Sequence, residues 1–397
     1  MRLLHGLSLV CAAALMLAGC GDEKIPPVEK GAPAPAAGAN AKAGDARARI
    51  VASYDRGLDY LMTQQKDGIW SVQGNPDPAF TSMAASVIFE RPGGVRPQDK
   101  AAVDKAVEFV AKSFDDDGGI KSPANRNYMT SAAIMVLVAA GRSQDKPVIE
   151  KAVRYVKSLQ FTDAGDPSFG GIGYGSDKTR SDLSNTQYAL ASLRAAGVSE
   201  DDPVMKDALK FLERAQNRKE NEKPGETTEW KDPKTGETIV RGNDGGAGYQ
   251  VAGSKAGMAT LPDGRKVAIS YGSMTYALLR CYHLAGVDRN DGRVKAAVDW
   301  ISKNWALDKN PGMPAAQEAD GLFYYYATVG KTLPALGIDT ITVPGGRTVD
   351  WRADMAAHLQ SIQNPDGSWS NKKDRWMESM PVLATAYALT ALAPCAR

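Results

Sequence analysis

Apolar residues recur along most of the chain with the spacing of helices, and the helical segments come in pairs. The first segment of each pair has a single apolar stripe, whereas the second is apolar on most sides and rich in Ala and Leu. The pattern predicts six helical hairpins, whose first helices begin near Asp55, Asp104, Glu150, Asp207, Lys295 and Trp351. The second helices are predicted at 81–89, 130–140, 183–196, 273–285, 322–336 and 381–392.

Each pair is joined by a turn that contains glycine. The pattern Gln-x-x-Asp-Gly-x-Trp occurs at 64–70 and again at 363–369. Asp followed by Gly favours a tight turn with positive φ, and the tryptophan is expected to pack back on the helix ends. The predicted turn glycines are Gly68, Gly118, Gly171, Gly245, Gly321 and Gly367.

Two polar insertions lengthen the fourth repeat. Residues 218–242 contain a turn at 232–236, and residues 256–270 contain another at 262–264, each between short runs typical of strands. We therefore expect two small β-hairpin insertions in an otherwise all-α fold. Small residues on several sides of the second helices suit an inner ring. Six hairpins of this kind can close into an (α/α)6 toroid, with an open superhelical solenoid as the alternative.

The repeated turn, followed by an Ala- and Leu-rich helix, resembles the QW-type repeat of squalene-hopene cyclases and the related prenyltransferase repeat. The resemblance covers residues 50–394. It implies an α/α toroid, a fold that hosts terpene cyclases, zinc protein prenyltransferases and thioester proteins, so it does not by itself fix the function.

The N-terminal segment predicts export and lipidation. Arg2 precedes an apolar run at 3–17 that is too short for a permanent membrane span. The run ends in Leu-Ala-Gly-Cys at 17–20, which resembles the lipobox of bacterial lipoproteins. This implies a signal peptide at 1–19, a lipidated Cys20 and a membrane anchor in the cell envelope. Gly21 in place of Asp favours the outer membrane, on the periplasmic side.

Composition divides the rest of the chain. Residues 20–48 are rich in Pro, Ala, Gly and Lys, which predicts a flexible tether before the toroid at 49–397. The 48 basic and 46 acidic residues nearly balance, which gives no reason to expect nucleic acid as a partner. Cys281 and Cys395 fall in non-adjacent hairpins and are expected to be free, buried thiols.

The sequence lacks the acid of known terpene cyclases. These enzymes protonate an alkene or epoxide with the middle Asp of Asp-x-Asp-Asp-Thr. The best-matching segment here runs from Asp182 to Thr186, with Ser184 and Asn185 at the two acid positions. A hydroxyl and an amide do not protonate an alkene, so we expect the cyclase mechanism to fail.

A metal or cofactor is not expected. Zinc prenyltransferases need Asp, Cys and His on the ring. Cys281 and His283 are two residues apart on a helix, so they point about 200° from each other. His358, the other histidine after the signal peptide, belongs to a first helix.

What remains is a cavity at the rim where the second helices begin. Polar and aromatic residues near those starts are the candidate ligand-binding set, suited to a hydrophobic, glycan or peptide ligand. Asp182 has an alternative role as a helix N-cap, and the tyrosines have an alternative role as core filling. The set comprises Asp182, Asn185, Gln187, Tyr128, Tyr271, Tyr324 and Tyr325.

Three functional hypotheses follow. The first is a cell-envelope lipoprotein that binds a ligand or partner at the rim cavity without cyclase chemistry. The second is an enzyme that modifies terpenoids or cleaves glycans, with Asp182 as the candidate catalytic residue and the cavity tyrosines around it. The third is a purely structural interaction module, in which case side chains should plug the central opening.

Overall fold

The computed structural model describes residues 37–396, apart from 123–124, 177–178 and 233–234, and describes side chains from residue 44 onwards. The predicted signal peptide and Cys20 lie outside the described residues. The chain divides into two units, Met1–Ala43 and Gly44–Arg397, and the architecture below is that of the second.

The described chain folds into twelve α-helices arranged as six hairpins. α1 is longer than predicted and includes residues 37–48, because this stretch lacks proline and half of its residues are the helix former Ala. The end of the predicted tether is therefore helical. The hairpins are α1 Ala37–Thr63 with α2 Pro78–Phe89, α3 Lys100–Ala111 with α4 Arg126–Ala140, α5 Lys146–Ser158 with α6 Leu183–Ala195, α7 Pro203–Ala215 with α8 Gly272–Leu284, α9 Gly292–Lys303 with α10 Leu322–Ala335, and α11 Trp351–Ser361 with α12 Pro381–Leu392.

The even-numbered helices form a closed inner ring. Each packs against the next, and α12 packs against α2. The outer layer closes at the same place, since the Gln363 Nε2 donates to the backbone oxygen of Ser53 at 2.9 Å. The predicted toroid is thereby confirmed, and an open solenoid is ruled out.

The turn glycines hold neighbouring repeats together. Gly68 has a φ of 79°, and a Cβ there would lie 2.4 Å from the Ala102 oxygen of the next outer helix. Gly367 stands in the same relation to Arg56 and so joins the last repeat to the first. The prediction of Gly171 was wrong by one residue, because Gly170 has the positive φ and packs on Asp207.

The glycine predicted for the fifth turn has a different role from Gly68 and Gly367. Gly321 is the last residue of the connection between α9 and α10 and is the left-handed N-cap residue of α10, with a φ of 66°. The side chain of Trp376 packs against it, and a Cβ at this position would approach that ring to 2.9 Å.

A threonine near the start of most inner helices fastens the preceding turn. The Thr81 hydroxyl accepts a hydrogen bond from the Trp70 backbone nitrogen at 3.1 Å, and Thr385 does the same for Trp369 at 3.0 Å. The tryptophan indoles in turn donate to the ends of their outer helices. The threonines that accept in this way are Thr81, Thr130, Thr186, Thr275 and Thr385.

Short strands form in the connections between the helices of the ring. Both predicted insertions form hairpins, and these join into one sheet of order β4-β5-β7-β6, in which β5 and β7 are parallel. Two further small sheets, β1-β2-β3 and β8-β9, were not predicted, because their strands of two to four residues show no alternation and no long polar insertion marks them. The strands are β1 Gln65–Lys66, β2 Ile69–Val72, β3 Asn75–Pro76, β4 Glu229–Lys231, β5 Thr238–Val240, β6 Met258–Thr260, β7 Lys266–Ala268, β8 Thr340–Thr342 and β9 Thr348–Asp350.

Candidate functional site

The inner ring encloses a cavity of about 150 Å³, to which all six inner hairpin helices or their caps contribute. Its wall is mostly apolar and built from small or flexible side chains. Ala191 and Ala327 are buried deep in it, whereas Ala139, one residue before the end of α4, is exposed. The cavity therefore opens where the inner helices end. The apolar lining residues are Met83, Ala132, Met135, Ala139, Ala191, Ala327 and Ala386.

Three tyrosines form the floor of the cavity, and a fourth lies behind them. The rings of Tyr188 and Tyr324 are stacked with centroids 6.4 Å apart, and Tyr387 meets Tyr324 edge to face at 5.9 Å. Tyr128 supports Tyr188 at 5.0 Å from outside the cavity. Burial raises the pKa of all four hydroxyls, which stay neutral. The floor thus offers flat aromatic faces.

Three charged side chains reach the same cavity. Lys331 on α10 forms an ion pair with Glu90, the C-cap residue of α2, and both are about one-third exposed near the mouth. Arg280 on α8 also lines the cavity. Within the described part of the chain, Arg280 forms no hydrogen bond or ion pair, and its Nε is buried. Burial lowers the pKa of this guanidinium.

Asp182 belongs to a closed polar network at the starts of the inner helices. It is the N-cap residue of α6 and accepts from the Asn185 backbone nitrogen at 2.8 Å and the Asn185 Nδ2 at 2.9 Å. Asn127 on α4 donates to the Asn185 Oδ1 at 3.1 Å. All three are fully buried, and desolvation raises the pKa of Asp182 to about 6.

The segment that resembles the cyclase motif holds positions that the repeat itself uses. Thr186 fastens the turn before α6 as Thr81 does before α2, and Asp77 caps α2 four residues before Thr81 just as Asp182 precedes Thr186. Ser184, at an acid position of the motif, shares a hydrogen bond of 2.8 Å with the Tyr324 hydroxyl. Asp182 and Thr186 therefore have a folding role.

The structure separates the predicted site residues. Gln187 and Tyr324 line the cavity. The expected position of the cavity, at the starts of the inner helices, was wrong, because residues 181–183 and 249–250 bond to each other over the start of α6 and the tyrosine floor lies beneath it. Whether any of the set binds a ligand stays a prediction. The residues outside this cavity are Asp182, Asn185, Tyr128, Tyr271 and Tyr325.

Two of these tyrosines have evident packing roles. Tyr325 is fully buried between α10 and the chain after α9, and its hydroxyl donates to the backbone oxygen of Ala306 at 2.8 Å. Tyr271 is the N-cap residue of α8 and is 2% exposed. Neither side chain is placed to touch a molecule in the central cavity.

Sequence reasoning missed Arg280 and the buried Glu378. Arg280 could have been noticed as a lone charge within an apolar inner helix. Glu378 had no signal, because it lies in a loop and accepts from the Tyr324 backbone nitrogen at 2.8 Å and the Asn371 Nδ2 at 2.8 Å. Burial raises the pKa of Glu378 to about 7.

The two histidines in the described part of the chain lie apart from the cavity lining. His358 on α11 shares a hydrogen bond of 2.8 Å with the Tyr326 hydroxyl, and His283 lies on α8. Among the described residues, no group of three or more His, Cys, Asp or Glu side chains is arranged to hold a metal ion. Cys281 and Cys395 are free and buried, as predicted.

Comparisons with known proteins agree with the fold. Residues 76–235 match the family model of the squalene-hopene cyclase C-terminal domain. No curated protein sequence matches the chain. The type II terpene cyclase MstE from Scytonema has a similar structure, with a TM-score of 0.53 at 13% identity over 88% of this chain and 98% of the cyclase.

Two further solved structures are similar. A protein from Actinoplanes gives a TM-score of 0.51 at 15% identity, covering 88% of this chain and 100% of that one. A variant of the Scytonema cyclase, in complex with its substrate geranylgeranyl dihydroxybenzoate, gives 0.51 at 13% identity, covering 89% and 99%. The chain is thus similar to squalene-hopene cyclases and has the α/α toroid fold of terpene cyclases, as its repeats predict.

Proposed function

We propose that this protein is a lipid-anchored component of the cell envelope whose ring binds a hydrophobic, prenyl-like ligand without cyclase chemistry. The observation that carries the proposal is the cavity itself, which has an apolar wall of Ala and Met and an aromatic floor. Each Å² of apolar surface that a ligand buries there gains roughly 25 cal/mol. Five alanine side chains leave this space of about 150 Å³, which suits a small apolar group such as the end of a prenyl chain, and the open mouth lets a longer chain extend outward.

The similar structures support a ligand of this class. The Scytonema cyclase of the same fold was solved with geranylgeranyl dihydroxybenzoate, a molecule that contains a prenyl chain. The open cavity also argues against the purely structural module, for which the centre of the ring should be filled.

The residues that face the cavity support binding rather than alkene protonation. Glu90 is the carboxylate among the lining residues, and it forms an ion pair with Lys331 near the mouth. A paired carboxylate at a solvent-facing rim is a weak acid for such a step. Asp182 lies beyond the tyrosine floor.

The course of the chain supports delivery from a membrane. Tyr54 on α1 donates to the backbone oxygen of Val87 near the end of α2, so the earlier part of α1 extends past that end. Gly44 precedes Tyr54 by ten residues, which is roughly 15 Å of helix. The toroid therefore begins on the face where the cavity opens. We assign membrane attachment to Cys20. No described helix is long and apolar enough to cross a bilayer.

Photo-crosslinking tests ligand binding. The full chain, purified in detergent, is irradiated with a geranylgeraniol analogue that has a diazirine on its last isoprene unit, and labelled peptides are mapped by mass spectrometry. We expect label on α4, α6 and α10, near Met135, Ala191 and Ala327. Label confined to outer helices, or label that excess geranylgeraniol does not displace, would contradict the proposal.

Metabolic labelling tests the anchor. Cells that express the chain are grown with radioactive palmitate, and we expect label in the mature protein and in the membrane fraction. Cys20→Ser should abolish both, whereas Cys11→Ser should leave both intact. Palmitate incorporation that survives Cys20→Ser would exclude this site of lipidation.

An enzyme that uses Asp182 is the second candidate, favoured by the raised pKa of this buried carboxyl group. Tyr249, whose hydroxyl lies near Asp182 and shares a hydrogen bond of 2.7 Å with the Tyr174 hydroxyl, would be its neighbour in such a site. Product analysis after incubation with prenyl alcohols or glycans, with Asp182→Asn as the control, separates this candidate from binding alone.

A further inference from the structure

Arg280 lines the cavity as a partly buried cation, and its buried Nε has no hydrogen-bond partner in the described chain. Arg280 lies two turns into α8. Its positive charge interacts electrostatically with the Tyr188 hydroxyl in the floor and with the Glu90 carboxylate near the mouth. Glu90 is already paired with Lys331. The guanidinium therefore lies between the floor and the mouth, with no carboxylate of the described chain bonded to it.

Such an arrangement is costly unless something else satisfies it. A guanidinium stays charged in proteins, so burial does not neutralise it as it can a lysine. Removing its hydration without supplying hydrogen-bond acceptors costs several kcal/mol. If position 280 had only a packing role, the toroid would be more stable with Leu or Met there, and both residue types occur elsewhere in the inner helices. An unpaired arginine at the wall of a binding cavity is therefore best explained by its ligand.

The net charge of the cavity lining indicates that the ligand is negatively charged. Lys331 and Glu90 cancel as a pair, and Arg280 remains. The lining thus carries one uncompensated positive charge within a mostly apolar wall. A planar guanidinium binds carboxylate or phosphate oxygens through two parallel N–H donors, which is stronger than a contact with a neutral group.

We propose that Arg280 binds an oxyanion headgroup of the ligand, so that the natural ligand is an anionic amphiphile rather than a neutral terpene. This inference deepens the proposed binding function and rests on it. The apolar chain of the ligand packs on the faces of Tyr188 and Tyr324 and on the Ala and Met wall. The headgroup, a carboxylate or a phosphate, accepts from the guanidinium of Arg280.

Recognition of the headgroup would also let the cavity discriminate between anionic and neutral ligands. A neutral hydrocarbon would fill the apolar wall but leave Arg280 without an acceptor, and an alcohol would offer it one uncharged acceptor, which is a weaker partner than a carboxylate or phosphate. Discrimination between an acid and the matching alcohol should therefore depend on this one side chain.

The test is a competition experiment with matched ligands. The neutral diazirine analogue labels the full chain in detergent, and geranylgeraniol, geranylgeranoic acid and geranylgeranyl phosphate compete for the cavity. In the unmodified protein we expect at least one anion to compete at about tenfold lower concentration than the alcohol. The order of the two anions distinguishes a carboxylate from a phosphate ligand.

Variants assign the preference to Arg280. Arg280→Met should remove the preference for the anions and leave competition by the alcohol within about threefold. Arg280→Lys should restore part of the preference, because the charge returns without the planar pair of donors. Lys303→Met is the control, because Lys303 is an exposed lysine of α9 that pairs with Asp299 away from the cavity, and it should keep the preference.

Two results would overturn the inference, and they differ from failure of the proposed function. Equal competition by acid, phosphate and alcohol in the unmodified protein would show binding without a headgroup site. An anion preference that persists in Arg280→Met would place the headgroup elsewhere. By contrast, labelling that none of the three compounds displaces would count against ligand binding altogether. A thermal melt of each variant confirms that it is folded before competition is measured.

Discussion

The two ends of the inner ring use polar side chains in opposite ways. At the starts of the helices, Asp182, Asn185 and Asn127 are buried and bonded to one another. Toward the other ends, Arg280 is held among alanines, methionines and tyrosines with no bonded partner in the described chain. Polar side chains that bond to one another stabilise the fold, whereas a charged side chain without a bonded partner in a cavity is available to bind a ligand.

This difference corrects an inference from motif matching. The polar set around Asp182 attracts attention because it resembles a catalytic motif, yet the same positions recur in other repeats as caps and turn fasteners. Arg280 belongs to no recognised motif, and its proposed role is evident only from the cavity that it lines.

The largest expected effect is at the closed end. Asp182→Ala removes two hydrogen bonds and leaves the Asn185 amide and a backbone nitrogen buried without an acceptor. We expect the free energy of unfolding to fall by about 3–4 kcal/mol, measured by urea denaturation. Arg280→Met is the matched change at the open end and should leave stability within about 1 kcal/mol or raise it. A larger loss for Arg280→Met than for Asp182→Ala would reverse the comparison.

The pH dependence of stability is the next effect. Because burial raises the pKa of Glu378 from 4.5 to about 7, the folded state holds this proton more tightly than the unfolded chain. The resulting stability is fully present below pH 4.5 and is lost as the pH rises through about 7, by roughly 3 kcal/mol.

Glu378→Gln isolates this contribution. The difference in free energy of unfolding between the unmodified protein and the variant should change with pH between 4.5 and 7, in the direction that favours the variant at higher pH. Urea titrations at several pH values measure it. Parallel curves for the two proteins would mean that Glu378 does not titrate in this range.

The features of the fold that could be predicted from the sequence are those that repeat along the chain. The helices, the ring and both insertions follow from periodicity and turn chemistry that recur along the chain. The shift from Gly171 to Gly170 could not be foreseen, because adjacent glycines carry the same signal and only the contact with Asp207 selects one. The position of the cavity could not be foreseen either, since the floor brings together Tyr188, Tyr324 and Tyr387 from three different helices.

The smallest expected effects come from two adjacent tyrosines. Tyr325→Phe removes one buried hydrogen bond to Ala306, so we expect a loss of about 1 kcal/mol in stability and unchanged crosslinking. Tyr324→Phe breaks the bond to Ser184 at a similar cost but alters the floor, so the pattern of labelled peptides should change. If Tyr325→Phe changed the labelling and Tyr324→Phe did not, the assignment of the floor would be wrong.

The most direct test of the account is to fill the cavity from its wall. Ala191→Phe places a ring in the apolar space between α6 and its neighbours, and the melting temperature should stay the same or rise because empty volume is filled. The measurement is the concentration of the diazirine analogue that gives half-maximal crosslinking to the full chain. We predict that Ala191→Phe raises this concentration by at least about tenfold, whereas unchanged crosslinking in a folded variant would show that the central cavity is not where the ligand binds.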